Sequence, residues 1–191
     1  MPEKVPQEEH VREFVRSCVR AGLLDAQSLY GEVVQAVASE LPELRDRADA
    51  VARDWIAAYR EELARDQAQW PEVTDHDRLQ AAFAELAAAD VVVLQGCEDH
   101  WDAKAVLDRR AEAGNPPRGI AWFTPPDVWH AIDEGMLEVN LWHGSTANVA
   151  PGDALLDEAV AVFERHGLPA HFDEGRIEVA AHWQKRLDDA R

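Results

Sequence analysis

The spacing of apolar residues changes once along this chain, at the Trp70-Pro71 step, and that change limits the fold more than any other feature. Before it, apolar side chains recur with the 3.6-residue period of helices that bury one side. Val11, Phe14, Val15, Cys18 and Val19 make a first stripe, and Gly22 is its stop. Asp25 is placed to cap a second helix with the stripe Tyr30, Val33, Val34, Val37 and Leu41, which ends at Pro42 because a proline ring cannot continue the ladder. A third helix is predicted from about 43 to 69, with Ala48, Val51, Ala52, Trp55, Ile56, Tyr59 and Leu63 on one side.

After the step, short strands alternate with helices. Thr74 or Asp75 caps a helix carrying Leu79, Phe83 and Leu86, and Val91-Val92-Val93-Leu94 reads as a buried strand. A helix over 99–113 stops at Gly114-Asn115-Pro116-Pro117, and a short strand follows at 120–123. Thr124-Pro125-Pro126-Asp127 opens a brief helix, with proline where no amide donor is needed. Leu137, Val139 and Leu141 then alternate with Glu138, Asn140 and Trp142, the two-residue period of a strand. A helix over 153–166 precedes two strands, 168–172 and 176–182, joined through Asp173-Glu174-Gly175 as a hairpin. The expected fold is α+β: amphipathic helices at 1–69, then at 70–187 a ferredoxin-like, split βαβ antiparallel sheet with helices on one face.

Charge narrows the partners. The chain carries 37 acidic and 19 basic side chains, a net charge of -18. Residues 1–70 hold 14 acidic and 9 basic groups, and residues 71–191 hold 23 and 10, so the imbalance lies mainly in the second part. Such a field repels phosphate backbones and anionic membranes, so nucleic acid and membrane partners are disfavoured and a basic protein partner is favoured. The same charge also keeps a chain soluble. No apolar run approaches the roughly 18 residues of a membrane span, and the first ten residues lack the pattern of a signal peptide. A cytoplasmic protein is expected. Cys18 and Cys97 are the two cysteines, too few for a disulfide framework.

Two constellations bear chemistry. In Cys97-Glu98-Asp99-His100 a thiol and an imidazole stand three residues apart where a strand gives way to a helix, and the topology brings His130 near. Thiolate and imidazole suit zinc, and a metal-binding or hydrolytic role is one reading, but a structural zinc site needs four ligands and no second cysteine pair exists. The plainer reading has Asp99 capping the helix and Cys97 as a small buried hydrophobe. The second constellation follows from strand alternation. If Leu137, Val139, Leu141, Ile177 and Val179 face the helices, then Glu138, Asn140, Trp142, Arg176, Glu178 and His182 face the other way. Those six residues suit a ligand or a peptide, with Trp142 as anchor, or else a seat for the N-terminal helices. Phosphate loops, zinc-protease spacing and the nucleophile elbow are absent, and so the balance leans away from an enzyme. The leading expectation is a binding or regulatory module without a cofactor; a zinc or hydrolytic site and a small-molecule sensor are the alternatives.

The segment Trp70-Pro71-Glu72-Val73-Thr74-Asp75-His76-Asp77-Arg78-Leu79-Gln80-Ala81-Ala82-Phe83-Ala84-Glu85-Leu86, with the ending Ile177-Glu178-Val179 and Trp183-Gln184-Lys185-Arg186, resembles a domain-of-unknown-function family of soluble bacterial proteins, over roughly residues 45–187. That family tends to carry a Cys-Cys-x-x-Cys cluster after the first strand. Here Gly96-Cys97-Glu98-Asp99-His100 retains one thiol of it. The resemblance implies a fold-level unit and no assigned activity.

Overall fold

The computed structural model describes residues 7–187. The chain divides into two compact units, one comprising 1–70 with the tail from Lys185, the other Pro71–Gln184.

The first unit is a bundle of three helices, α1 (Gln7–Ala21), α2 (Ala26–Glu40) and α3 (Ala48–Gln67). Its core follows the predicted stripes in large part: Val11, Val15, Val19, Val33, Val37, Ala52, Trp55 and Leu63 are buried, while Phe14, Tyr30, Val34 and Tyr59 of the same stripes are half-buried and Leu29 joins the core. The Asp25 carboxylate accepts the Ser28 N–H at 2.8 Å and starts α2. The third helix begins later than its apolar period suggests. Pro42–Arg47 winds as a 3-10 helix behind the Pro42 ring, and α-helical bonding sets in at Ala48. Arg16 and Arg20 on α1 share Glu62 on α3 at 2.8 and 3.1 Å, and Arg20 also reaches Asp66 at 2.8 Å. At the C-terminus of α1, Gly22 adopts φ +57°, and its carbonyl accepts the Lys185 Nζ at 2.5 Å.

The second unit holds α4 (Asp75–Ala88), β1 (Val91–Gln95), α5 (His100–Glu112), β2 (Gly119–Phe123), α6 (Pro125–Asp133), β3 (Met136–His143), α7 (Ala154–Arg165), β4 (Ala170–Asp173) and β5 (Arg176–Ala180). Two of the helices start with the same reciprocal cap. At Thr74 the Asp77 carboxylate accepts the Thr74 N–H at 2.8 Å and hydroxyl at 2.9 Å, while the Thr74 hydroxyl accepts the Asp77 N–H. At Thr124, Asp127 accepts the same two donors at 2.7 and 2.8 Å.

The sheet runs β1-β2-β3-β5-β4 and corrects the expected topology in three respects. It is mixed and not wholly antiparallel, because β1 and β2 are parallel. The βαβ unit is contiguous and not split, since Val92 pairs directly with Ile120 and Leu94 with Trp122, with no strand between. That departs from the ferredoxin-like order. Helices also lie on both faces. Phe123 points to α4 and α7, where Phe83 stacks on it at 5.7 Å and meets Phe163 edge-on at 5.8 Å. The neighbouring Ile120 and Trp122 point the opposite way and bury themselves with Ala103 and Leu107 of α5. The cause is the parallel pair: its crossover must pass over the sheet, and α5 is that crossover. Every residue of β2 is consequently buried. Among the described residues no helix is long and apolar enough to cross a membrane.

Candidate functional site

Within the second unit α5 covers the β1–β2 half of its face, and Glu138, Asn140 and Glu178 on the other half are half-buried. Glu138, Asn140 and Trp142 do alternate away from Leu137, Val139 and Leu141, which are buried on the α4 side. Glu138 stands directly opposite Glu178, two like charges on neighbouring strands. Arg176 donates to Glu138, and His171 Nε2 lies 3.4 Å from Glu178. The guanidinium of the row is therefore already engaged by Glu138 and is not free for a ligand to read.

Trp142 is not the free anchor that strand alternation suggests. Its ring meets Trp122 edge-on at 5.1 Å and packs on the α5 cluster, so it closes the covered half of the face. The Trp122 indole N–H is buried there without a hydrogen-bond partner among the described residues. His182 does not join the face at all. β5 ends at Ala180, the Ala181 N–H turns to the Gly135 carbonyl at 2.9 Å, and the Trp183 N–H to that of Ala131 at 3.2 Å. The His182 amide donates to Asp75 at 3.2 Å, and its ring lies against Gly135, leaving no room there for a Cβ. Strand alternation carried past the last paired residue produced that misplacement.

The thiol and imidazoles take the plainer of their two readings. Asp99 caps α5 by accepting the Trp101 N–H at 2.7 Å, and Asp102 accepts the Glu98 N–H at 2.9 Å. Cys97 is buried; its N–H donates to the Phe123 carbonyl at 3.1 Å, and its thiol to the same oxygen at 3.5 Å. The His100 ring lies against Trp101, tilted by 38° with centroids 4.6 Å apart, and His130 is half-buried on α6. The expected Cys97, His100 and His130 metal site does not assemble: among the described residues no group of three His, Cys, Asp or Glu side chains is placed to hold a metal. Burial, and then the nearby Asp102 carboxylate, push the Cys97 thiol up to about 11. Fewer than about one molecule in a thousand is then thiolate at neutral pH. Native Cys97 is expected to resist a disulfide reagent such as dithionitrobenzoate at pH 7.5, and to react within minutes once urea unfolds the chain. Rapid labelling of the folded protein at Cys97 would contradict the burial described here.

What the second unit does present is excess negative charge. Pro71–Gln184 carries 21 acidic and 7 basic side chains. Six of the seven are held by carboxylates: Arg78 by Asp75, Lys104 by Asp108, Arg110 by Asp90, Arg118 by Glu158, Arg165 by Glu85 and Arg176 by Glu138. Hydrogen bonds from Arg165 and His166 hold the Glu85 carboxyl below its usual range, and Arg118 does the same to Glu158.

A feature that periodicity alone did not single out is a groove between α7 and β4, lined by Leu156, Val160 and Ala161 on the helix and by Ala170 and Phe172 on the strand. The strand itself was legible before the hairpin turn, but the sheet order that leaves β4 at an edge was needed to read the groove.

A protein-family model described as "Domain of unknown function (DUF6891)" matches residues 4–187, and the chain belongs to that family. The match takes in the N-terminal helices, well beyond the 45–187 over which motifs were recognisable. No curated protein and no solved structure matches the chain.

Proposed function

We propose that this member of the DUF6891 family is a non-enzymatic acidic binding or regulatory module that engages a cationic protein partner. The observation carrying the proposal is the saturation of cations in Pro71–Gln184, where six of seven Lys and Arg side chains are already paired with six of the 21 carboxylates, and 15 carboxylates are left to set the outward field. Exposed pairs of this kind add little to stability, on the order of 0–1 kcal/mol each. Their consequence lies outside the molecule: with its cations engaged, the unit attracts polycations and speeds their encounter, and salt weakens both effects.

Affinity capture from a native lysate tests the reading. At moderate salt the tagged chain is expected to retain proteins with basic surfaces, released as salt is raised through roughly 0.5 M, where screening shortens to a few ångström. Capture of nothing above background, or of proteins without basic surfaces, would sink it.

A further inference from the structure

The groove between α7 and β4 identifies where such a partner would dock; this inference rests on the reading just proposed and sharpens it. Among the described residues β4 lies at the edge of the sheet and pairs with β5 alone. Asp173 faces Arg176 across the two-residue turn, and the Ala180 N–H donates to the Pro169 carbonyl at 2.8 Å. Positions 169, 171 and 173 therefore direct their backbone groups to β5, and antiparallel alternation turns those of Ala170 and Phe172 to the open side. The side chains of the same two residues share the face of their partners Val179 and Ile177, the face that α7 covers.

Along that open edge runs the groove, of about 420 Å³. Leu156, Val160 and Ala161 form its helical wall, and no lysine or arginine lines it. Asp157 and Glu164 also border it, both exposed, seven residues and so about 10 Å apart along α7, within reach of two long side chains four residues apart on one face of a strand. Asp173 and Glu174 add exposed carboxylates at the end of the strand.

An open strand edge, an apolar trough beside it and a carboxylate rim without cations are the complement of one kind of ligand. We propose that the groove takes an extended cationic peptide segment of a partner protein by strand addition to β4. The peptide backbone pairs with Ala170 and Phe172, an apolar side chain enters between Val160, Ala161 and Phe172, and Lys or Arg side chains meet Asp157 and Glu164. A second copy of this chain fits worse. Pairing β4 with itself sets Asp173, Glu174 and the acidic rim of one molecule with a net charge of -18 against those of another.

The probe is a fluorescein-labelled octapeptide repeating Lys-Ser-Val-Ser, which sets lysine and valine in turn on one face of a strand, titrated with the full chain and followed by anisotropy at about 0.05 and 0.15 M salt. Saturable binding of one peptide per chain is expected. Ala161→Arg fills the trough from a half-exposed position, and it is expected to weaken binding at least about tenfold. Methylating alternate amides of the peptide keeps its charge, removes its ladder donors, leaves the protein untouched, and is expected to weaken binding as much. The double variant Asp157→Asn, Glu164→Gln is expected to lose about three- to tenfold and to flatten the salt dependence. If the arginine variant and the methylated peptide bind as well as their parents, and salt alone releases the peptide, the groove assignment falls while the acidic-module reading stands. A peptide that fails to bind even at low salt overturns both. A dimer in sedimentation that Ala161→Arg dissociates would give the edge to a second copy and overturn the proposal.

Discussion

Replacing Phe123 with alanine is expected to destabilise the Pro71–Gln184 unit by about 3–5 kcal/mol, the range for truncating a fully buried phenyl ring that neighbours cannot collapse upon. Phe123 has no exposed surface. It stacks on Phe83 at 5.7 Å and meets Trp183 edge-on at 5.8 Å, and Phe83 in turn meets Phe163, so one ring ties α4, β2, α7 and the segment after β5. Removing it opens a void walled by rigid aromatics. The backbone role is unaffected, since the carbonyl that accepts from Cys97 remains. Urea unfolding followed through tryptophan fluorescence reads the loss as a lower midpoint at unchanged slope. A cost below about 1 kcal/mol would mean that the aromatic cluster repacks, contrary to the jigsaw packing argued here.

The same residue shows how far the sequence could be read. A buried strand at 120–123 was legible from its apolar run, and β2 is indeed Gly119–Phe123. Likewise β1, β3, α7 and the Asp173-Glu174-Gly175 turn fall within a residue or two of where alternation and stop signals placed them, because those signals are local. Which side of β2 each residue faces was also local. What covers each side was not. Ile120 and Trp122 could be assigned to α5 only once β1 and β2 were known to be neighbours, and pairing of strands is a non-local property that no run of residues encodes on its own. The candidate site divided along the same line. Asp99 as a cap, and Cys97 as a buried hydrophobe, followed from neighbours in sequence and hold in the structure. The convergence of Cys97, His100 and His130 depended on tertiary placement, and does not occur among the described residues. His182 was lost to the sheet face because alternation does not announce where pairing stops.

Glycine to alanine is expected to carry opposite signs at two positions, and the larger effect is at Gly144. A Cβ built there would sit 2.0 Å from the Pro117 carbonyl oxygen and 3.1 Å from its carbon, both backbone atoms that no rotamer change can move. The close approach is structural: the Gly144 N–H donates to the Arg118 carbonyl at 2.9 Å just beyond β3, where the chain passes against the segment leading into β2. Gly144→Ala must separate those strands' ends, and a loss of about 2–3 kcal/mol is expected, at the upper end of ordinary overpacking. Gly31 lies in the interior of α2 with nothing within 4 Å of its added Cβ. Gly31→Ala is expected to gain about 0.5–1 kcal/mol, because alanine restricts the unfolded chain and fits helical φ and ψ without strain. Thermal and urea unfolding of the two single variants measure both. A gain at Gly144 equal to that at Gly31 would show that restriction of the unfolded chain outweighs the contact with Pro117. A neutral Gly144→Ala would show that the β3 turn yields to a methyl group, and that the close crossing of residues 117 and 144 is not what holds the open end of β2 against β3.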